Sequence, residues 1–476
     1  VDVPSFEFLA FAAVVAAVVN VSAAAWWRSA TLLLANLAFA ASFSRDPAQL
    51  APFAALLATG FAAVKLLETG KRKSVFVLLL ALQLAAFCWL KRYAFVPPGM
   101  LLHGAYITAG MSYVFFRILH LTIDAYQDAL PERVGLASYV NYTLNFTSLV
   151  SGPIQFYADY RRTETQPAPL TRSVVALAAQ RIVLGFFKVS VVSPVLLLAH
   201  ERSAALAAAA PAGVRFGWTA AAIALFAVYL YANFSGYMDV VIGTARFVRL
   251  ELPENFDRPF AATGYIELWG RWHMTLSNWF KTYVYSPLLL ALMRRYPSPG
   301  AEPYLGVFAY FVTFFLVGVW HGQTAMFLFF GVLQGAGVSA NKLYQIAMTR
   351  KLGRKRYRAL CAQPAYAALS RGLTFAYFAV SLLWFRPAWA DLAGFAARLG
   401  VAGAAAAAVA LVIGAALVLW ALRTAGQWFA GLRAGGAPLV SSPYAVTAWC
   451  TALIVLTLSA TVVLNAPAPH IVYRAF

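Results

Sequence analysis

Apolar runs long enough to cross a bilayer recur along the whole 476-residue chain, and nothing in the sequence constrains the fold more. Candidate spans fall near residues 6–25, 29–44, 49–67, 74–90, 100–122, 137–157, 174–199 and 213–232. Others fall near 304–321, 324–347, 372–386, 399–422 and 445–465. Backbone groups in lipid are satisfied only within helices or closed barrels. The runs are continuous and do not alternate with period two, which excludes a barrel. The expected fold is all-α: a polytopic transmembrane helical bundle of about 11–13 spans, with re-entrant or surface-lying helices around a central catalytic cavity.

Composition leaves no room for a large soluble domain. Charged residues make up 11% of the chain and hydrophobic ones 62%, against about 25% charged in a soluble domain. The expected organisation is one integral membrane domain, 1–476. It has a core at about 100–345, a basic loop at 349–364 and C-terminal spans at 372–465. The segment 423–444 is expected to be a polar loop, and the Ala-rich run 403–410 a span packed through small residues. Asp2 and Glu7 stand where a signal peptide would carry basic residues, so the N-terminus reads as a first span.

The net charge of +20 is carried by short clusters between apolar runs, such as Lys71-Arg72-Lys73 and Arg350 to Arg358. That placement points to cytoplasmic loops and anionic lipid headgroups, and away from nucleic acid. Lys71 to Lys73 and Lys91-Arg92 flank the same run. Either one cluster lies outside or that run is re-entrant. Cys88, Cys361 and Cys450 have no paired spacing, so neither a disulfide nor a metal site is expected.

The stretch 233–290 differs from the rest. It gathers Asp239, Arg246, Glu251, Glu254, Asp257, Arg258, Glu267, Arg271, His273 and Lys281 among aromatic residues. An ionised side chain at the bilayer centre costs about 2.5–3.5 kcal/mol on insertion scales. Re-entrant or surface-lying helices are therefore expected there. Of the six histidines, His103, His200 and His470 sit at the ends of apolar runs, as interfacial residues do. His120, near Arg117 and Asp124, fits a structural hydrogen bond. His321 lies between two apolar runs and is flanked by Gly318 and Gly322, which permit close approach. His273 follows Trp272 as His321 follows Trp320. On a helix, Trp269, Trp272 and His273 would share one face. No Gly-x-Ser-x-Gly elbow occurs; Ser151-Gly152-Pro153 and Ser235-Gly236-Tyr237 read as turns.

These residues resemble the membrane-bound O-acyltransferase family, in the bacterial branch that O-acetylates alginate or transfers D-alanine to teichoic acid. One block runs from Tyr231-Ala-Asn-Phe-Ser-Gly-Tyr-Met-Asp239 through Leu252-Pro-Glu-Asn-Phe-Asp-Arg-Pro-Phe260 and Glu267-Leu-Trp-Gly-Arg-Trp-His273. It continues through Thr275-Leu-Ser-Asn-Trp279 to Tyr283-Val-Tyr-Ser-Pro-Leu288. The others are Gly318-Val-Trp-His-Gly322, the stretches Gly110 to Tyr126 and Ser151 to Ile154, and Trp384-Phe-Arg-Pro387. Asn233 stands where the family usually has Asp, and Leu268 and Gly270 where it has Phe and Arg.

The resemblance implies catalysis by His321, with His273 orienting the donor or stabilising an oxyanion. It implies reactant contacts at Trp320, Trp272, Trp269, Arg271, Asn278, Asn233, Ser235, Tyr237 and Asp239. No metal and no permanently bound cofactor is implied. The expected donor is a cytoplasmic acyl thioester, acetyl-CoA first, and the acceptor an exported polysaccharide or cell-envelope polymer. A partner acyltransferase on the periplasmic or extracellular side is expected, with the chain multi-pass in a bacterial cytoplasmic (inner) membrane. D-alanyl transfer from a carrier protein is the alternative chemistry. A transporter or polymer-export component is the alternative of another class, although no repeat symmetry supports it.

Overall fold

The computed structural model describes residues 3–102, 104, 106–385, 389–434 and 442–464. His103, Arg386, Pro387, His470 and Asp2 lie outside the described residues. The helices are α1 (Phe6–Val19), α2 (Ala25–Ala41), α3 (Ala51–Thr69), α4 (Lys73–Leu90), α5 (Met111–Gln127) and α6 (Leu136–Thr143). Then come α7 (Tyr157–Thr165), α8 (Arg172–Phe187), α9 (Ser193–Ala209), α10 (Ala212–Phe247), α11 (Tyr265–Trp269) and α12 (Met274–Phe280). The last are α13 (Ser286–Arg295), α14 (Glu302–His321), α15 (Ala325–Ala362), α16 (Pro364–Ser381), α17 (Trp389–Ala434) and α18 (Pro443–Leu464). The chain is an all-α, multi-span membrane protein.

Among the described residues, eight helices are long and apolar enough to cross a membrane, fewer than the apolar runs suggest. The runs near 6–25, 29–44 and 100–122 yield helices of 14, 17 and 17 residues. The run near 137–157 folds into the 8-residue α6 and a buried series of turns. Apolarity there serves burial inside protein. The run 324–347 joins the basic segment 349–364, which is helix and not loop. α15 continues to Ala362 across a kink at Gly353, φ 76°. Arg, Lys and Leu are good helix formers, and their charge bars this end from lipid, not from helix. For the same reason residues 423–434, expected to be loop, extend α17. The rest of that expected loop up to Ser441 lies outside the described residues.

The chain divides into two compact units. Among the described residues, the first comprises 3–186 and Phe234–Glu254, and the second Phe187–Asn233 and the residues from Asn255 on. In the first, Met111 to Thr122 of α5 is buried on every side. Arg117 donates to the Thr143 carbonyl at 2.8 Å and the Ser148 carbonyl at 2.9 Å. Arg28 donates to the carbonyls of Thr163, Glu164, Val248 and Arg249, and so caps the ends of two helices with one guanidinium. Gly110, at φ 74°, starts α5 against the Leu149 carbonyl, where a Cβ would stand 2.5 Å away.

α4 has 18 residues, about 27 Å at 1.5 Å per residue, so its two basic flanks sit at opposite ends of a span-length helix. Lys71 pairs with Asp128. Arg92 is tied to the carbonyls of Leu102 and Gly104 and to the Tyr106 hydroxyl. Burial lowers Lys91 to about 8.

In the second unit, Gly372 of α16 meets the Val412 carbonyl of α17; a Cβ there would stand 2.3 Å away. Ala407, Leu411 and Ala416 are buried on the same helix, so the Ala-rich span packs closely through small residues. Two π-helical turns, Lys188–Val192 and Lys281–Tyr285, each precede a Ser-Pro step. Proline lacks the N–H that would continue the α ladder, and the wider turn accommodates its loss.

Candidate active site

The site is built where α14 and α15 cross in the second unit. A Cβ on Gly318 would stand 2.1 Å from the Gly331 Cα, and one on Gly331 would stand 2.5 Å from the Phe315 carbonyl. Only glycines let the two backbones approach this closely. One turn on, α14 ends at Trp320 and His321, both buried. The chain leaves through Gly322, whose Cβ would collide with the Phe327 ring at 2.1 Å. The His321 ring lies 4.7 Å from Trp320, 5.2 Å from Phe385 and 5.8 Å from Phe330, centroid to centroid. Phe385 comes from the Trp384-Phe-Arg-Pro387 block, two of whose members are outside the described residues.

His273 enters from the irregular segment after α10. It is fully buried, and its ring is 6.5 Å from Trp320. Both imidazoles thus pack against one indole, that of Trp320. His273, Trp272 and Trp269 do not share a helical face. α11 stops at Trp269 because Gly270 and Arg271 turn the chain. Trp272 then pairs with Phe256 in an antiparallel bridge, with no strand among the described residues. His273 takes a left-handed backbone, φ 44°. That conformation is uncommon outside glycine and is often found at functional positions.

Asn255 supports this turn. Its Oδ1 lies 3.1 Å from His273 Nδ1, accepts from the Thr275 N–H at 3.2 Å and from the Thr275 hydroxyl at 2.8 Å. Its carbonyl accepts from the Met274 N–H at 2.9 Å. Burial holds His273 down to about 3, so the ring is neutral at physiological pH.

The tryptophans form the wall. Trp272 is sealed among Tyr231, Phe256, Phe260 and Phe378. Trp269 packs on Phe314 of α14, 5.0 Å between centroids. Behind them Tyr265 donates to Gln334, which donates to Ser381 at 2.9 Å. Other expected contact residues are placed differently. Arg271 is held by Glu267 and Asp257, each at 3.0 Å. Asn278 is exposed on α12. Asn233 is buried and donates to Ser193 at 3.4 Å.

Ser235, Tyr237 and Asp239 belong to the first unit. They lie within α10, so Ser235-Gly236-Tyr237 is helix and not the expected turn. Gly185 packs on the Gly236 carbonyl; a Cβ on Gly185 would stand 2.6 Å from that oxygen. Residues 233–247 continue α10 without a break. Their charges are paired: Asp239 with Arg181 at 3.0 Å, and Arg246 with Glu251. Arg181 also holds Glu254 at 2.5 Å. The irregular segment begins only after α10.

Two other histidines have structural surroundings. His120 Nε2 accepts the Tyr157 N–H at 3.1 Å, and its Nδ1 meets the Tyr142 hydroxyl at 3.1 Å. His200 is buried within protein, and its Nδ1 donates to the Ala222 carbonyl at 2.8 Å. Asn255 is the residue that sequence reading passed over. It sits in the Leu252 to Phe260 block, but its contact with His273 crosses 18 positions.

A family model described as MBOAT, membrane-bound O-acyltransferase family, matches residues 48–370. A teichoic acid D-alanyltransferase from Streptococcus thermophilus is 28% identical over 239 residues, 49% of this chain and 56% of its own length. A probable alginate O-acetylase from Pseudomonas syringae pv. tomato is 26% identical over 248 residues, 52% of this chain and 44% of its own. A peptidoglycan O-acetyltransferase from Helicobacter pylori is 36% identical over 127 residues, 26% of this chain and 22% of its own. The chain spans about half the length of the first two relatives. His273 and His321 both fall inside the region that the family model matches.

Proposed function

The chain belongs to the membrane-bound O-acyltransferase family, and from that premise we propose that it carries an acyl group from a cytoplasmic thioester to a hydroxyl of an exported polysaccharide or other cell-envelope polymer. The observation that carries this reading is the pair of buried imidazoles, His273 and His321, that both pack against Trp320.

In the reaction, the acceptor hydroxyl oxygen attacks the thioester carbonyl carbon while His321 takes the hydroxyl proton. The tetrahedral intermediate collapses, the C–S bond breaks, and the leaving thiolate receives that proton. General base catalysis of this kind contributes about 10²–10⁴-fold. The aromatic wall excludes water, which would otherwise compete as acceptor. The close crossing at Gly318 and Gly331 keeps the base rigidly placed.

The relatives include two O-acetylases and a D-alanyltransferase. We place the chain in a bacterial cytoplasmic membrane, with acetyl-CoA as first-choice donor and a partner acyltransferase on the outer side. Deleting the gene and releasing base-labile esters from the envelope polymer tests this. Loss of acetate supports acetyl transfer, and loss of D-alanine supports the alternative. Unchanged levels of both contradict the proposal.

A further inference from the structure

We propose that Asn255 is a positioning residue for the transfer. It sets His273 as a hydrogen-bond acceptor toward the reactants, so His273 receives a hydrogen bond from a reactant donor other than the attacking hydroxyl and does not stabilise an oxyanion. This rests on the acyl-transfer reading above and assigns one of its two histidines a chemical side.

A backbone N–H can only donate. The Thr275 N–H points at one end of the Asn255 side chain, 3.2 Å away, so that end is the amide oxygen and not the nitrogen. The Thr275 hydroxyl, at 2.8 Å, then donates to it as well. His273 Nδ1 lies 3.1 Å from the same oxygen. Two acceptors cannot bond, so Nδ1 carries the proton. In a neutral imidazole the other nitrogen then holds a lone pair. Nε2 is therefore an acceptor. A lone pair repels a developing oxyanion and attracts a hydrogen-bond donor, such as a neighbouring hydroxyl of the acceptor polymer.

The ring has no freedom to reverse this assignment. His273 is fully buried in a left-handed turn, and the turn is stitched to Asn255 by the Met274 N–H at 2.9 Å. Turning the ring over would leave Asn255 Oδ1 facing a carbon. The same logic operates where a carboxylate holds a catalytic imidazole in one tautomer. Here an amide oxygen performs it.

The test is a double-mutant cycle on the full chain in membranes of a host lacking the native gene, at matched protein levels. Membranes receive labelled acetyl-CoA or a D-alanyl-charged carrier protein, whichever wild type uses, and label entering the envelope polymer is counted. Asn255→Ala is expected to slow transfer at least about tenfold. In a His273→Ala background it is expected to add nothing, because Asn255 acts through His273. Asn255→Asp keeps all three acceptor bonds and the Nδ1 proton, and is expected to stay within about fivefold of wild type. Losses that multiply, a wild-type rate for Asn255→Ala, or an Asn255→Asp variant as slow as Asn255→Ala would each overturn the inference. Should Asn255→Ala fail to accumulate, the Asn255→Asp result decides alone. His321→Ala is run alongside. Its retaining the wild-type rate, or wild type using neither donor, overturns the transfer reading itself.

Discussion

Gly318 and Gly331 touch backbone to backbone where α14 crosses α15: a Cβ on Gly318 would stand 2.1 Å from the Gly331 Cα. His321 lies three positions on, along the same helix. Gly318→Val must push the helices apart and carry His321 with them. Overpacking of this kind costs about 1–3 kcal/mol. We expect a lower melting midpoint in detergent and at least a tenfold loss of transfer, roughly the contribution of one general base. Gly414→Ala, where a Cβ meets nothing, serves as the control and is expected to be neutral or mildly stabilising. Equal behaviour of the two variants would contradict this account of the crossing.

His273 gives stability a pH dependence with a definite sign. Its folded value, about 3, lies below the value of about 6.5 expected unfolded. The unfolded chain binds a proton that the folded chain refuses, so acid favours unfolding, and the loss begins as pH falls through the unfolded value. From about pH 7.5 to pH 5 the loss is about 2 kcal/mol. Melting of wild type and His273→Asn at both pH values measures it. The variant is expected to lose less than wild type on acidification; an equal loss would contradict the buried neutral ring.

For His120, both ring nitrogens already meet protein groups, the Tyr157 N–H and the Tyr142 hydroxyl. His120→Gln should lower the melting midpoint, by about 1–3 kcal/mol of stability for the groups left unmatched. Transfer per folded molecule should be unchanged. A transfer defect with normal melting would show that His120 takes part in the chemistry.

Asp239 belongs to the Tyr231 to Asp239 block, where a reactant contact is the expectation from resemblance. In the structure it holds Arg181, beside Glu254. Asp239→Ala leaves a partly buried guanidinium with one carboxylate fewer, at a cost of about 1–2 kcal/mol after allowing for its exposure. The expected outcome is lower stability with transfer per folded molecule intact. The opposite pattern would return Asp239 to the reactants.

The sequence made the membrane class legible and singled out His321 as a candidate because each signal is local: a span is a continuous run, and Trp320-His321-Gly322 is contiguous. The span number was less legible, since apolar residues in α5 and α6 are buried in protein. Charge misled in two ways. Asp239 and Arg246 suggested re-entrant chain, yet each is neutralised by a partner that sequence spacing does not reveal. Arg350 to Arg358 suggested loop, although such residues are good helix formers. The contact between Asn255 and His273 was not legible because it depends on a turn that bridges 18 positions.

The most direct measurement is the acyl ester content of the envelope polymer in a deletion strain carrying wild type, empty vector or His321→Ala at matched protein levels. The account predicts that His321→Ala matches the empty vector while the protein still folds and inserts. Esters at the wild-type level in His321→Ala would contradict it and make His321 a packing residue at the end of α14.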